Sequence, residues 1–395
     1  MSVRVAYILA QYPCRSERFI EREVRAVRRQ GVAVDAFAIR VGEGSEPAGG
    51  ATYRDGVPLA EKLAALLWAA RRPLKFARAL SGIFREGAGC PGRLLRSLRN
   101  VPVSMAWARR IQRNATTHLH GHFLGEPAII ARTISILITI PYSLSVHARD
   151  IFVDMPAASG TIRNAAAVAA CTLAGAERAR ELLPDDRHAK VHVIRHGLEL
   201  PAGNAARSAQ GFPIVLAVGR LVEKKGIPVL LGALKRMPAQ RRVECVVVGD
   251  GPDRGAIERR AGELGIADSL QITGWQSPQE VAAWMQRADV LAVPSIVAAD
   301  GDRDGLPNVI LEAAIAGLPV AAADTGGIGE FVVNEQTGML VDAGDEAALA
   351  AAIGRLIDDT ALRDAVVENA RAKVRREYDA DRKAEALIEA MGWKA

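Results

Sequence analysis

The chain is poor in cysteine, aromatic residues and lysine, and each shortage narrows what it can be. Its four cysteines (Cys14, Cys90, Cys171 and Cys245) are scattered through 395 residues with no C-x-x-C pair. That pattern excludes a disulfide framework and a cysteine zinc site, and it suits a reducing compartment. Aromatic residues make up only 5% of the chain. No apolar run spans a bilayer uninterrupted: Ala128 to Val146 approaches the length, but Arg132 and Pro141 divide it into a helix-like and a strand-like part. The opening MSVRVAYILAQYPC has a short apolar run and no A-x-A-like cleavage site, so it reads as a strand and not an export signal. The expected location is the cytoplasm. With 49% hydrophobic and 24% charged residues, the remainder has the composition of a folded soluble protein, not a disordered, collagenous or coiled-coil one.

Lysine is outnumbered 9 to 42 by arginine, and the basic residues are unevenly spread. Glu61 to Arg113 holds twelve Lys and Arg against two Glu, a net +10 that leaves the rest of the chain at −4. Arg71, Lys75, Arg78 and Arg85 recur at helical spacing, with Leu63, Leu67, Leu74 and Leu80 available for an apolar side. Such a segment suits an anionic membrane surface, and equally the solvated face of an ordinary helix. Only Trp68, Phe76, Phe84 and Trp107 interleave as stacking groups, which disfavours nucleic acid.

Strand-like and helix-like runs alternate along most of the chain, the signature of parallel α/β architecture. The first half offers six strands: Val3–Leu9, Val32–Ile39, His118–His122, Tyr142–His147, Ala167–Thr172 and Val191–Arg195. The second half offers six more: Ile214–Gly219, Val243–Gly249, Leu270–Gly274, Val290–Pro294, Pro319–Ala323 and Gly338–Val341. Between them Pro201 to Pro213 has linker composition. The expected domains are 1–204, 205–375 and a C-terminal helical segment 376–395. Two doubly wound sheets facing a cleft bind ligands outside the carboxyl ends of their strands, so functional residues are expected just after strands.

Three stretches of the second half bear on that expectation. In ADVLAVPSIVAADGDRDGLPNVILEA a strand ends and a helix begins near Pro307, which presents the free N–H groups of Leu306, Asn308 and Val309 to an anion, a phosphate above all. Asp300, Asp302, Asp304 and Gly305 begin like a calcium loop, but its twelfth position is Leu311, and Glu312 misses the bidentate place by one. Asp304 and Glu312 read better as acceptors for sugar hydroxyls. After the strand ending at Gly219 come Arg220 and the lysine pair Lys224-Lys225, cations that are either exposed surface charge or face the same cleft. Gly249, Gly251 and Gly255 imitate a dinucleotide fingerprint, but the next strand ends Ile272-Thr273-Gly274-Trp275 without the acid that ribose binding needs.

In the first half, Ser16 is a candidate N-cap and Glu17 an acid in the first turn of the helix that follows the first strand. His118, His120 and His122 alternate along a strand, a pattern commoner for packing than for zinc. His147 stands at a strand's end in SLSVHARDIF, where it can reach a ligand.

GRLVEKKG, VVVGDGP, ITGW, DGLPNVILEA and DTGGIGEFV together resemble the donor domain of family 4 retaining glycosyltransferases of the GT-B fold. YPCRSERFIEREV, HLHGHF and SVHARDIF resemble a subgroup that assembles bacterial exopolysaccharide and envelope saccharides, including the colanic-acid type. The resemblance implies two Rossmann-like domains and a last helix that crosses back to the first. It implies that Arg220 and Lys225 bind the donor diphosphate, that Glu312 accepts from the ribose, and that Asp304 holds donor-sugar hydroxyls. By the same resemblance His147 contacts the donor sugar, Gly219 and the backbone of Leu306, Pro307, Asn308 and Val309 line the sugar and phosphates, and Gly274 and Trp275 border the base. Ser16 and Glu17 approach the acceptor. The implied partners are a UDP- or GDP-linked sugar and a saccharide or lipid-linked saccharide, with no metal and no separate cofactor. The enzyme is expected to be peripheral on the inner face of the cell membrane.

Three features depart from the family pattern, one of them Leu198-Glu199 in place of a frequent Val-Asp after the histidine-glycine turn. Asp304 is one methylene shorter than the usual glutamate, and Cys14-Arg15-Ser16-Glu17 replaces a common glycine pair. The competing readings are an NAD(P)-dependent dehydrogenase, which nicotinamide binding would reveal, and a non-catalytic saccharide-binding relative, which nucleotide-sugar turnover would exclude.

Overall fold

Short runs of Val, Ile, Leu and Ala, buried on both faces, build two all-parallel sheets, each covered by helices. The computed structural model describes residues 3–42, 45–87, 90–154, 159–200, 212–238 and 240–393. They form two units, Met1–Gly197 with Ala380–Ala395, and Leu198–Asp379.

The first unit has strands β1 (Arg4–Gln11), β2 (Ala33–Arg40), β3 (Thr52–Tyr53), β4 (His118–His122), β5 (Tyr142–Val146), β6 (Ala167–Ala170) and β7 (Val191–Val193). Its helices are α1 (Arg18–Arg29), α2 (Leu59–Ala70), α3 (Pro73–Gly87), α4 (Pro91–Arg99), α5 (Val101–Arg113), α6 (Glu126–Ile138), α7 (Ser159–Asn164) and α8 (Leu173–Glu181). The second unit has β8 (Ile214–Val218), β9 (Glu244–Val248), β10 (Leu270–Gly274), β11 (Val290–Val293), β12 (Val320–Asp324) and β13 (Met339–Asp342). Its helices are α9 (Ile227–Arg236), α10 (Arg254–Leu264), α11 (Pro278–Arg287), α12 (Asn308–Ala316), α13 (Glu346–Asp358) and α14 (Thr360–Glu377). A last helix, α15 (Ala380–Ala390), belongs to the first unit.

The sheet orders are β3-β2-β1-β4-β5-β6-β7 and β10-β9-β8-β11-β12-β13. Each reverses direction once, between β1 and β4 and between β8 and β11, and these switch points are where α/β sheets receive ligands. Local signals set the helix ends. Thr172 accepts from the Gly175 N–H to start α8, Ser277 and Glu280 form a reciprocal capping box on α11, and Gly265 and Gly317 close α10 and α12 in the left-handed conformation. α15 lies on α1, where Leu387, Met391 and Trp393 share a core with Tyr7, Ile20, Val24 and Val27.

Several expectations are corrected. The first sheet has seven strands, because the two-residue β3 is too short to show an alternating period. The units divide at Gly197/Leu198 and Asp379/Ala380 instead of 204/205 and 375/376; most of the expected linker, 201–211, lies outside the described residues. Ser16 is not an N-cap: it sits in a tight turn over Arg15–Glu17, its hydroxyl 3.3 Å from Cys14 Sγ, and α1 starts at Arg18. The basic segment is four helices, with α2 ending at Ala70 before Pro73 opens α3, so Leu63 and Leu67 stand on a different helix from Lys75, Arg78 and Arg85. Leu63, Leu67 and Leu74 are exposed, whereas Leu80 packs against the core. Among the described residues no helix is long and apolar enough to cross a membrane.

Candidate functional site

In the second unit the loops after β8 and β11 are sewn together across the switch point. Gly226, at φ +61°, lies so close to the Pro294 carbonyl that a Cβ would fall 1.9 Å from its oxygen, so only glycine fits. The Ile296 N–H donates to the Lys224 carbonyl (2.9 Å) and the Ala299 N–H to Glu223 Oε1 (3.1 Å). The adjacent lysines then reach separate acids: Lys224 Nζ lies 3.1 Å from Asp302 Oδ1, and Lys225 Nζ lies 3.0 and 2.9 Å from the two oxygens of Asp304. The Ser295 hydroxyl donates to Asp304 Oδ2 at 2.7 Å. Burial pushes the Asp304 carboxyl up, but the Lys225 ammonium, its hydrogen bond, Ser295 and Lys224 outweigh this and hold it below the usual carboxylate range. Two of the three carboxylates that imitate a calcium loop, Asp302 and Asp304, are thus paired with lysine. Asp304, expected on sugar hydroxyls, is the partner of Lys225.

The Lys225 stem runs across Gly219, and both line a cavity with Pro294, Ser295 and Val309. Val309 and Asn308 open α12, whose first N–H groups have no intrahelical acceptor. Pro307 is the residue before the helix, and Leu306 and Glu312 are half-buried nearby in sequence. Lys225, Gly219 and Val309 at the α12 start are therefore brought to one place. The Arg220 side chain is exposed, without a hydrogen-bond or ion-pair partner among the described residues. Gly274, at φ +73°, accepts from the Gly249 N–H at the end of β10, and the Trp275 ring is exposed. Gly249 and Gly251 press against the backbones of Gly219 and Leu221, so the glycine turn is occupied by its own chain and imitates a dinucleotide loop in sequence only.

In the first unit, residues after β1, β4 and β5 converge on a buried aromatic and histidine cluster. His147 follows β5, and the Asp150 carboxylate accepts from its N–H (2.9 Å) and from that of Leu124 (3.0 Å), tying the ends of β5 and β4 together. Phe123, at φ +70°, puts its ring 4.3 Å from that of His147; Phe19 lies 5.1 Å away, and His196 stacks on it at 5.2 Å. His147 Nε2 is 3.4 Å from His122 Nδ1, His122 Nε2 is 3.1 Å from Glu23 Oε1, and Tyr7 donates to the same oxygen at 2.9 Å. Burial, with the neighbouring His196, His122 and His120 adding to it, keeps His147 well below an ordinary histidine; His120 is pushed down to about 3 and His196 to about 4, burial leading in each. Burial alone would raise Glu23, but His122, His120 and Tyr7 reverse this and lower it to about 2. Of the residues expected on the acceptor side, Glu17 accepts from Gln11 Nε2 at 2.9 Å, and Ser16 stays beside Cys14.

Two groups have metal-ligand spacing among the described residues, Glu23 with His120 and His122, and His147 with Cys171 and His196. The nitrogens of the first already have partners: His120 bonds the Ser143 and Ser145 hydroxyls at 2.8 and 3.0 Å, and His122 bonds Glu23 and His147. A metal ion would have to displace those bonds. Sequence reasoning missed Glu23, Asp150, His196 and Ser295. Glu23 alone carried a signal, an acid on the same helical face as Ile20, Val24 and Val27.

Residues 204–373 match the family described as glycosyl transferases group 1. The amylovoran biosynthesis glycosyltransferase AmsK of Erwinia amylovora is 34% identical over 193 residues, 48% of this chain and 47% of that protein. Alpha-D-kanosaminyltransferase of Streptomyces kanamyceticus is 28% identical over 72% of this chain and 77% of its own length. The match thus takes in about half the length of AmsK and more of the kanosaminyltransferase. Among solved structures, Anabaena HepE in complex with UDP and glucose superposes with a TM-score of 0.70 at 17% identity, covering 99% of both chains. Sucrose-phosphate synthase from Thermosynechococcus elongatus gives 0.72 at 18%, covering 98% of both. Likeness at this identity shows the fold, which is GT-B: two Rossmann-like units in one chain.

Proposed function

We propose, on the premise that residues 204–373 are a group 1 glycosyl transferase domain, that the chain moves a sugar from a nucleotide-sugar to a hydroxyl of a saccharide or lipid-linked saccharide in envelope polysaccharide assembly. The observation that carries this reading is the sewn loop pair of the second unit: Lys225, held by Asp304 and Ser295 across Gly219, beside the open start of α12. Breaking the bond between sugar and nucleotide leaves a diphosphate that gains negative charge. A fixed ammonium, the exposed Arg220 guanidinium and the N–H groups at Asn308 and Val309 stabilise that charge more in the transition state than before it. These groups meet the charge without a metal ion. Asp304 orients Lys225 in this scheme, and the ammonium keeps a third hydrogen for a phosphate oxygen. Glu312 takes the ribose hydroxyls, Gly274 and Trp275 border the base, and HepE, crystallised with UDP, supports a uridine nucleotide.

The first unit takes the sugar and the acceptor, with His147 on the donor sugar and Ser16 and Glu17 on the acceptor side. Transfer retains the anomeric configuration, the acceptor attacking the face that the diphosphate leaves and a donor phosphate oxygen taking its proton. The basic helices α2 to α4, with Leu63, Leu67 and Leu74 exposed among Arg71, Lys75 and Arg78, rest on the anionic cytoplasmic face of the membrane. Salt releases the chain from anionic vesicles on this reading.

Incubation with UDP- and GDP-sugars and a saccharide acceptor, followed by NMR of the product anomer, tests the assignment. A product with the donor's anomeric configuration supports it. An inverted product removes the retaining mechanism, and nicotinamide binding without sugar transfer removes the function.

A further inference from the structure

The first unit holds a line of buried polar groups behind His147 that glycosyl transfer, as derived above, does not use. Tyr7 Oη, Glu23 Oε1, His122 Nε2, His122 Nδ1 and His147 Nε2 follow one another at 2.9, 3.1 and 3.4 Å. They come from β1, α1, β4 and the end of β5, so folding of the whole sheet assembles them. The rings of His120 and Trp393 pack beside the line.

We propose that Glu23 and His122 are positioning residues that fix the tautomer of His147, so that it offers an unprotonated Nδ1 to a sugar hydroxyl. A carboxylate only accepts, so Glu23 holds a hydrogen on Tyr7 Oη and another on His122 Nε2. With that one ring hydrogen on Nε2, His122 then has its lone pair on Nδ1. The only bond it can make to His147 Nε2 is as acceptor, which places the single hydrogen of neutral His147 on Nε2. Nδ1 of His147 is left as an acceptor. It bonds a neutral hydroxyl and repels a carboxylate, so the ligand class at this point is a sugar with a free hydroxyl and not a uronate. This rests on the reading above in one respect, that His147 faces the donor sugar. Burial agrees with the scheme, since it disfavours the imidazolium of His147 and so keeps one hydrogen on its ring.

The tautomers of the seven histidines are read by two-bond 1H–15N correlation NMR on the full chain, with His147→Gln identifying the His147 signals. The expected wild-type state is a single Nε2–H tautomer at His147. In Glu23→Gln the new amide donates to His122 Nε2, His122 turns its hydrogen to Nδ1, and His147 inverts to Nδ1–H. His122→Phe removes the partner and leaves His147 a mixture, which keeps the test available if the first variant fails to fold. In both, kcat falls about tenfold, the loss of one well-placed hydrogen bond, while the donor KM stays within about twofold. A wild-type Nδ1–H tautomer, or a tautomer unchanged in both variants, overturns the proposal. So does a fall in kcat with the tautomer kept, because that marks packing alone. A wild-type chain that transfers no sugar overturns the proposed function instead, and the NMR result stands apart from it.

Discussion

The two units build their sites from opposite electrostatic material. The second uses full charges in pairs, Lys224 with Asp302 and Lys225 with Asp304. The first uses histidines held neutral by burial, around one anionic glutamate. A leaving diphosphate needs fixed cations, and paired carboxylates hold those cations in place without cancelling every hydrogen they can donate. A sugar and an alcohol carry no charge, and a neutral cluster recognises them by the direction of each hydrogen bond. On the proposed function, the difference assigns the nucleotide diphosphate to the second unit and the hydroxyl-bearing partners to the first.

The comparison breaks most visibly at Lys225. Lys225→Ala is expected to lower kcat by about 10²–10³-fold, as removal of a fixed transition-state donor does. It also strands a buried carboxylate and is expected to destabilise the second unit by about 3 kcal/mol. The double variant Lys225→Met with Asp304→Leu separates the two effects: urea unfolding should recover most of the stability, and kinetics none of the rate. Recovery of both would make the pair structural only.

The next largest effect lies at Arg220, whose side chain is exposed and unpaired among the described residues. Arg220→Ala is expected to cost about tenfold or more in kcat/KM with stability unchanged within about 0.5 kcal/mol, by steady-state kinetics and thermal melting. A lowered melting point with normal turnover would reverse the assignment.

Acid sharpens the contrast with a smaller effect. His120 and His196 have folded pKa values of about 3 and about 4, below the unfolded 6.5, and burial depresses His147 in the same direction, so below 6.5 the unfolded chain binds protons that the folded one refuses. Stability of the first unit therefore falls with falling pH, by about 1.4 kcal/mol per unit of pH for each such group. Glu23, lowered from 4.5 to about 2, adds loss in the same direction below 4.5. In the second unit Asp304, lowered from 3.8, contributes stability that is kept above 3.8 and lost only as pH falls through its depressed value. Urea unfolding followed by pulse-labelled hydrogen exchange should show the first unit weakening from pH 6.5 to 5 while the second holds. Equal weakening would contradict the neutral-cluster description.

The same division governs what was legible in the sequence. The second site was readable because its determinants are contiguous: Gly219 and Gly226 bracket the lysines, and Asp304 to Glu312 run from loop to helix in nine residues. Even there the pairing of each lysine was hidden, since it depends on how the β8 and β11 loops meet. In the first unit His147 showed itself at a strand end, but Glu23, Asp150 and His196 did not, because the strand order β1-β4-β5-β6-β7 brings together residues 23, 122, 147 and 196 from distant parts of the chain. The fold was legible throughout in its alternation, apart from Thr52–Tyr53, whose strand is shorter than one period of side chains.

The central claim is that the second unit's cations hold a diphosphate. Calorimetric titration of the full chain with UDP and GDP, each against its monophosphate, tests it directly. One diphosphate is expected to bind at least about tenfold more tightly than its monophosphate, with that advantage lost in Arg220→Ala. Equal affinity for mono- and diphosphate, or an advantage that survives the substitution, would contradict the account.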